Sequence, residues 1–332
     1  MNMKVKEWNG YKKGINFGGW FSQCDYTEKH FEEFIVERDF EKVAAAGYDH
    51  IRLPFDYNIV QNKDGSFIEK GFCYIDNVVK MCEKDGLNLI LDLHKAAGYS
   101  FDKDECESGF FDNKAYQEMF YRLWEKMAER YAMHTPNVAF ELLNEVTDKE
   151  LCSKWNEIAL ECIRRIRNIS ANVVISVGGY WNNDILTVND IFIPPDKNIV
   201  YNVHCYAPHI FTHQGASWMD MMPEDYRCDM SQPLRAMRED CEKYMPYTLS
   251  EFDGVWDSEE TLGEKYFINL FRPAVETVLK RDVVLYCGEY GVIGLAGEKN
   301  IREWYGAIES AMDKYNVGRA AWCYRGLNFG MS

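Results

Sequence analysis

The chain has 332 residues, 47% of them hydrophobic and 27% charged, the profile of a globular protein with a large core. Lys and Arg number 37 against 53 Asp and Glu, a net charge of −16, which excludes a basic surface for nucleic acid. No apolar run is long enough to span a membrane, and the opening MNMKVKEWNGYKKG carries no apolar h-region. A cytoplasmic protein is expected; a secreted one whose leader has been removed would read the same. The 11 cysteines are scattered and form no CxxC pair, so reduced, packing cysteines are expected, with no zinc.

Taken in chain order, eight short runs rich in β-branched and other apolar residues read as strands. They are GINFGGW (14–20), YDHIRLPF (48–55), LNLILDLH (87–94), NVAFELLNE (137–145), NVVISVGG (172–179), NIVYNVHCY (198–206), DVVLYCGEY (282–290) and GRAAWCYRG (318–326). Segments of helical period lie between them. HFEEFIVERDFEKVAAAG (30–47) reads as one helix, with Phe31, Phe34, Ile35, Phe40 and Val43 on its apolar face and Gly47 as its stop. Residues 74–86, 116–131, 148–168, 267–281 and 300–316 behave similarly, and 184–192 is a shorter case.

Strands alternating with helices imply parallel pairing, and eight such units imply an α/β fold, a (β/α)8 TIM barrel, formed by residues 1–332 as a single catalytic domain. GINFGGW does not match the GxGxxG fingerprint that an open dinucleotide-binding sheet would carry. Two departures stand out. Residues 207–265, which include Trp218 and Trp256, are too long for a usual loop and read as a subdomain inserted over the barrel mouth. The chain also stops at Ser332, six residues after the eighth strand segment, so no eighth helix is expected. One side of the last strands should then be thinly covered, and a chain cut short is the plainest account.

In such barrels the site forms where strands end. The ends here are Arg52, His94, Asn144 with Glu145, His204 with Tyr206, Glu289, and Trp322. A lone His or Glu at a strand end is commonly structural; their joint placement is the signal. Glu145 and Glu289 end the fourth and seventh strands, across the mouth from one another. Two opposed carboxyls are what acetal hydrolysis needs, one to protonate the leaving oxygen and one to attack the anomeric carbon or activate water. Glu141 lies four residues before Glu145, on the same strand face but deeper, and reads as a structural partner of Arg52 or another interior donor. HCYAPHIFTH places His204, His209 and His213 close in sequence, but it leaves a strand for a loop, so no metal and no cofactor is expected.

The set RLPF, DLH, FELLNE, VHCY, GEYG and AWCY resembles glycoside hydrolase family 5, whose members are retaining barrel enzymes. Over about residues 12–330 it is similar to the endoglucanase C type, with its GINFGGW-like and DHIRLPFDY-like starts and an FTHQ-W segment after strand six. The resemblance implies an endo-β-glycosidase that hydrolyses β-1,4-linked or mixed-linkage glucan through a covalent glycosyl-enzyme, with β-mannan or glucomannan as the alternative substrate. A silent carbohydrate-binding barrel is the contrasting class, and the presence of both Glu145 and Glu289 argues against it. A monomer is expected. The resemblance makes Glu145 the acid/base and Glu289 the nucleophile, with the higher proton affinity on Glu145. Asn144 would bond the sugar 2-hydroxyl, Arg52 and Tyr206 would flank Glu289, and His204 would sit near Glu145. His94 would bind sugar hydroxyls and Trp322 would form a stacking floor. Lys95 departs from the second histidine often found there. Trp20, Trp181, Phe211 and Trp218 are candidate sugar platforms, each also readable as a packing side chain.

Overall fold

Eight parallel strands pair edge to edge until the last meets the first. The structure, a computed structural model, describes residues 3–102, 105, 107–254 and 259–330. The strands are β1 (Lys13–Asn16), β2 (His50–Asp56), β3 (Asn88–Ala96), β4 (Tyr99–Ser100), β5 (Val138–Glu141), β6 (Ile175–Gly178), β7 (Ile199–His204), β8 (Val284–Glu289) and β9 (Gly318–Ala321). β4 is a short antiparallel return on the end of β3. The other eight close a barrel, with Gly14 of β1 opposite both His50 of β2 and Ala320 of β9.

Alternation along each strand sorts the side chains. On β3, Leu89, Leu91 and Leu93 pack outward in the main core, while Ile90 belongs to a second, inner cluster. That inner cluster, Tyr11, Ile90, Ala139, Val200, Val284, Tyr286 and Ala320, fills the barrel at its N-terminal end. Trp8 stacks on Tyr11 with ring centroids 4.1 Å apart. Above this apolar layer the inward positions turn polar, beginning with His50, whose Nε2 lies 2.7 Å from the Tyr286 hydroxyl.

Amphipathic helices surround the strands: Glu37–Ala45, Glu69–Asp85, Lys114–Tyr131, Cys152–Ile169, Glu264–Arg281 and Glu298–Tyr315. The single helix expected over 30–47 is two, Glu28–Glu33 and Glu37–Ala45. Val36 between them is extended, and its N–H donates to the Asp39 carboxylate, so the second helix starts afresh there.

Between β7 and its helix come Leu234–Tyr244 and a 3-10 turn, Pro246–Phe252. Ile210, Leu234, Met237, Cys241 and Phe252 are buried in the same contiguous core as the barrel. Trp256 and Cys106 lie outside the described residues.

Among the described residues no helix follows β9, yet β9 is buried along its whole length. Tyr324 packs on Phe17 and donates its hydroxyl to Asp39 at 2.7 Å, folding the chain back over this side. The last strand is therefore not thinly covered, which corrects that expectation. No described helix is long and apolar enough to cross a membrane.

Candidate active site

Arg52, wholly buried, organises the polar half of the barrel. Its Nε and Nη2 donate to the two oxygens of Glu141 at 2.9 and 2.7 Å, a bidentate pair. Nη1 donates to Asn16 Oδ1 at 2.9 Å and to Glu289 Oε1 at 2.6 Å. Nη2 also reaches Asn144 Oδ1 at 2.9 Å and lies 3.0 Å from Asp92 Oδ2. One guanidinium thus serves three carboxyl groups. Glu141 is the interior partner of Arg52, as its strand position implied.

Glu289 owes its position to the residue before it. On β8, Val284 and Tyr286 point inward, so Glu289 would point out. A register shift between Val203 and His204 of β7 instead places His204 opposite Glu289. Gly288 permits this, since a Cβ there would stand 2.5 Å from Asn202 Oδ1. The Gly288 N–H donates to that oxygen at 2.8 Å, and its carbonyl accepts from Asn16 at 2.9 Å. Glu289 Oε2 accepts the Tyr206 hydroxyl at 2.9 Å.

Glu145 stands on the loop leaving β5 with φ of +35°, an uncommon backbone for a side chain of this kind. The Tyr99 hydroxyl holds this loop, donating to the Glu145 carbonyl and accepting the Thr147 N–H at 3.0 Å. Glu145 Oε1 lies 2.7 Å from His204 Nδ1, and Oε2 accepts from Asn182 Nδ2 at 2.9 Å. The other ring nitrogen of His204 faces two amides, Asn183 Nδ2 at 3.4 Å and Asn202 Nδ2 at 3.5 Å. Asn202 is oriented by Gly288 and by its 2.9 Å bond to Glu141, so its amide hydrogens face the ring. The tautomer assigned from these donors has Nε2 accepting and Nδ1 protonated. Burial pulls His204 down to about 4, so the ring is neutral near pH 7 and donates to Glu145.

One oxygen of Glu145, one of Glu289 and a ring nitrogen of His204 lie within 4.8 Å of one another. Burial pushes both carboxyls above their ordinary range. The Asn182 bond opposes this at Glu145; His204 and Arg52 oppose it at Glu289. Only Glu289 touches a guanidinium, which favours keeping the shared negative charge on Glu289.

The remaining expected residues divide. His94 bonds Asp92 through Nδ1 at 2.7 Å and stacks on Trp322, centroids 5.7 Å apart and planes 5° off parallel. Asn144 Nδ2 is buried and has no partner among the described residues. Trp218 is 47% exposed and packs with His213 and Phe329, which in turn contact Tyr206. Trp181 is half-buried, with the Lys149 ammonium 4.2 Å from its ring centre. Trp20 and Phe211 are corrections. Trp20 is buried against Phe21 at 4.2 Å with its indole N–H on the Phe31 carbonyl, and Phe211 is wholly buried, so neither has a face for a sugar. His209 pairs with Glu251, apart from the Glu145–His204–Glu289 group. Lys95 is tied to Tyr26 at 2.6 Å and Glu105 at 2.9 Å, bracing the loop after β3.

Sequence reasoning missed Asp92, Asn182, Asn202 and Tyr99. Asp92 was within reach, because it precedes His94 by two residues on the same strand face. Burial pushes Asp92 up to about 7, with Arg52 pulling the other way. Its contribution to stability is therefore full below the ordinary value of 3.8 and is lost as pH rises through about 7. Asp92→Asn is expected to lose less stability than the unaltered chain across that interval, measured by urea denaturation at stepped pH. His204 titrates in the opposite sense over much of the same range, so the difference between the two proteins is the readout. Equal slopes would refute the assignment.

The chain has counterparts among known proteins. The family model Cellulase (glycosyl hydrolase family 5) matches residues 8–328. Cellodextrinase A of Ruminococcus flavefaciens is 47% identical over 93% of this chain and 84% of its own. Endoglucanase C of Acetivibrio thermocellus is 36% identical over 96% and 92%. The fold superposes on Thermotoga maritima Cel5A in complex with cellobiose at a TM-score of 0.74 and 22% identity, covering 96% of this chain and 92% of that one. A cellulase-family match across nearly the whole length, with relatives of this identity and coverage, makes the chain a member of glycosyl hydrolase family 5.

Proposed function

We propose that this chain is a retaining endo-β-glucanase acting on β-1,4-linked or mixed-linkage glucan, with Glu289 as nucleophile and Glu145 as acid/base. The separation of the two carboxyls carries the reading. Oxygens within 4.8 Å of one another fit the roughly 5–5.5 Å spacing of double displacement and not the roughly 6.5–9.5 Å that leaves room for a water. In the first step a Glu289 oxygen bonds the anomeric carbon, the glycosidic C–O bond breaks, and the leaving oxygen takes the Glu145 proton. In the second, water attacks the same carbon, Glu289 leaves, and the water's proton passes to Glu145.

The supporting groups follow. Arg52 and Tyr206 hold Glu289 charged and aimed. The unpartnered Asn144 amide is available for a hydroxyl beside the cleavage point. His94 and Trp322 form an aromatic floor, and the exposed ring of Trp218 lets the insert over 207–265 serve as a cleft wall. The names of the relatives, cellodextrinase and endoglucanase, support glucan as the substrate. Product analysis on carboxymethyl cellulose, barley mixed-linkage glucan, galactomannan, glucomannan, xylan and laminarin tests this. Short oligosaccharides from the first two are expected. Activity confined to the mannan lanes, or no activity on either glucan, would overturn the substrate assignment.

A further inference from the structure

We propose that Asn182 is a positioning residue for Glu145, holding Oε2 of the acid/base and setting how firmly that oxygen keeps its proton. The inference rests on Glu145 being the acid/base. Its ground is the way the two oxygens of Glu145 are shared. Oε1 faces the protonated Nδ1 of His204 at 2.7 Å. A proton on Oε1 would meet that N–H head on, so the proton that catalysis transfers sits on Oε2. Asn182 Nδ2 lies 2.9 Å from Oε2.

The local backbone shows that this contact is built. Trp181, Asn182 and Asn183 are all left-handed, with φ of 55°, 59° and 54°. L-residues rarely adopt that conformation three in a row, and Asn tolerates it better than most. The run is held against the Glu145 loop. The Asn182 N–H donates to the Val146 carbonyl at 3.0 Å, and Val146 bridges Tyr180. Asn182 is itself exposed, so its side chain fills no core.

The charged and titratable groups facing Glu145 come from several elements. Glu289 on β8 and Asp92 on β3 disfavour its charge. Arg52 on β2, His94 on β3, His204 on β7 and His209 beyond it favour it when charged. The hydroxyls of Tyr99 and Tyr206 border the same space. Among the uncharged groups, the Asn182 amide alone bonds Oε2 among the described residues, and donation from an amide favours the carboxylate. It offsets burial and keeps Glu145 a strong enough acid to protonate a sugar oxygen.

Asn182→Gly removes the amide and keeps the left-handed backbone accessible. Its basic limb in kcat/KM for cellotetraose is expected to move up by about half to one pH unit. At neutral pH its kcat/KM for cellotetraose is expected to fall about fivefold, because the acid is weaker. With dinitrophenyl β-cellobioside, whose leaving group needs no proton, kcat/KM should stay unchanged. An unmoved limb would overturn the proposal, as would equal losses on both substrates, which a merely structural loop contact would give. Should the glycine variant fail to fold, Asn182→Asp tolerates the same backbone. It places a carboxylate beside Oε2, and the limb should move further in the same direction; no movement overturns the proposal. If the unaltered enzyme turns over neither substrate, the functional reading fails; if it turns over both and the limb stays fixed, only the role of Asn182 fails.

Discussion

Glu289→Gln is expected to hydrolyse glucan at least about four orders of magnitude more slowly than the unaltered enzyme, while still binding oligosaccharide. Glutamine keeps the volume of the side chain, and its carbonyl oxygen still accepts from Arg52. What is lost is the charge that, on the proposed mechanism, bonds the anomeric carbon, and no neighbouring group replaces it. Tyr206 bonds Glu289 itself, and Glu141 is held by Nε and Nη2 of Arg52, deeper in the barrel. Initial rates on mixed-linkage glucan, with oligosaccharide titration calorimetry as the check on folding and binding, decide the matter. A rate within tenfold of the unaltered enzyme would remove Glu289 from the nucleophile role.

Arg52→Met should cost about 3–5 kcal/mol of stability, the range for removing one partner of a buried ion pair. Methionine fills part of the space but leaves Glu141 and Asp92, both wholly buried, without their cation. Those groups must then take up protons or admit water. Urea denaturation midpoints measure the loss. Adding Glu141→Gln to the same chain should restore part of it, because the amide removes the stranded charge. A loss below about 1 kcal/mol, or no recovery in the double variant, would mean that the network does not depend on Arg52.

The strands were readable because each is a short, mostly apolar run, and those that lead to His94, Glu145, His204 and Glu289 close on a polar residue. That final residue lies where alternation and the barrel's polarity change meet. Glu141 was placed from period two alone, and Asp92 could have been placed in the same way from His94. Other features depend on contacts distant in the chain. Val36 interrupts an apolar periodicity that looks continuous, because Asp39 offers its N–H a better partner than the helix does. Trp20 and Phe211 resemble platforms by residue type, and only packing shows that they are buried. Asn182 sits in GGYWNND, whose Asn and Asp content suits left-handed backbone. Composition does not reveal that its amide reaches Glu145, since that depends on the β5 and β6 loops being stitched together at Val146 and Tyr180.

The apolar layer of Tyr11, Ile90, Ala139, Val200, Val284, Tyr286 and Ala320 makes the barrel a flask rather than a pipe. Its acids therefore face the one mouth, at the C-terminal ends of the strands. A glucan chain lying across that neck is also a stopper. On the proposed mechanism, hydrolysis of a bound chain leaves the barrel's store of protons unchanged, since the one that Glu145 gives to the leaving oxygen comes back from the attacking water.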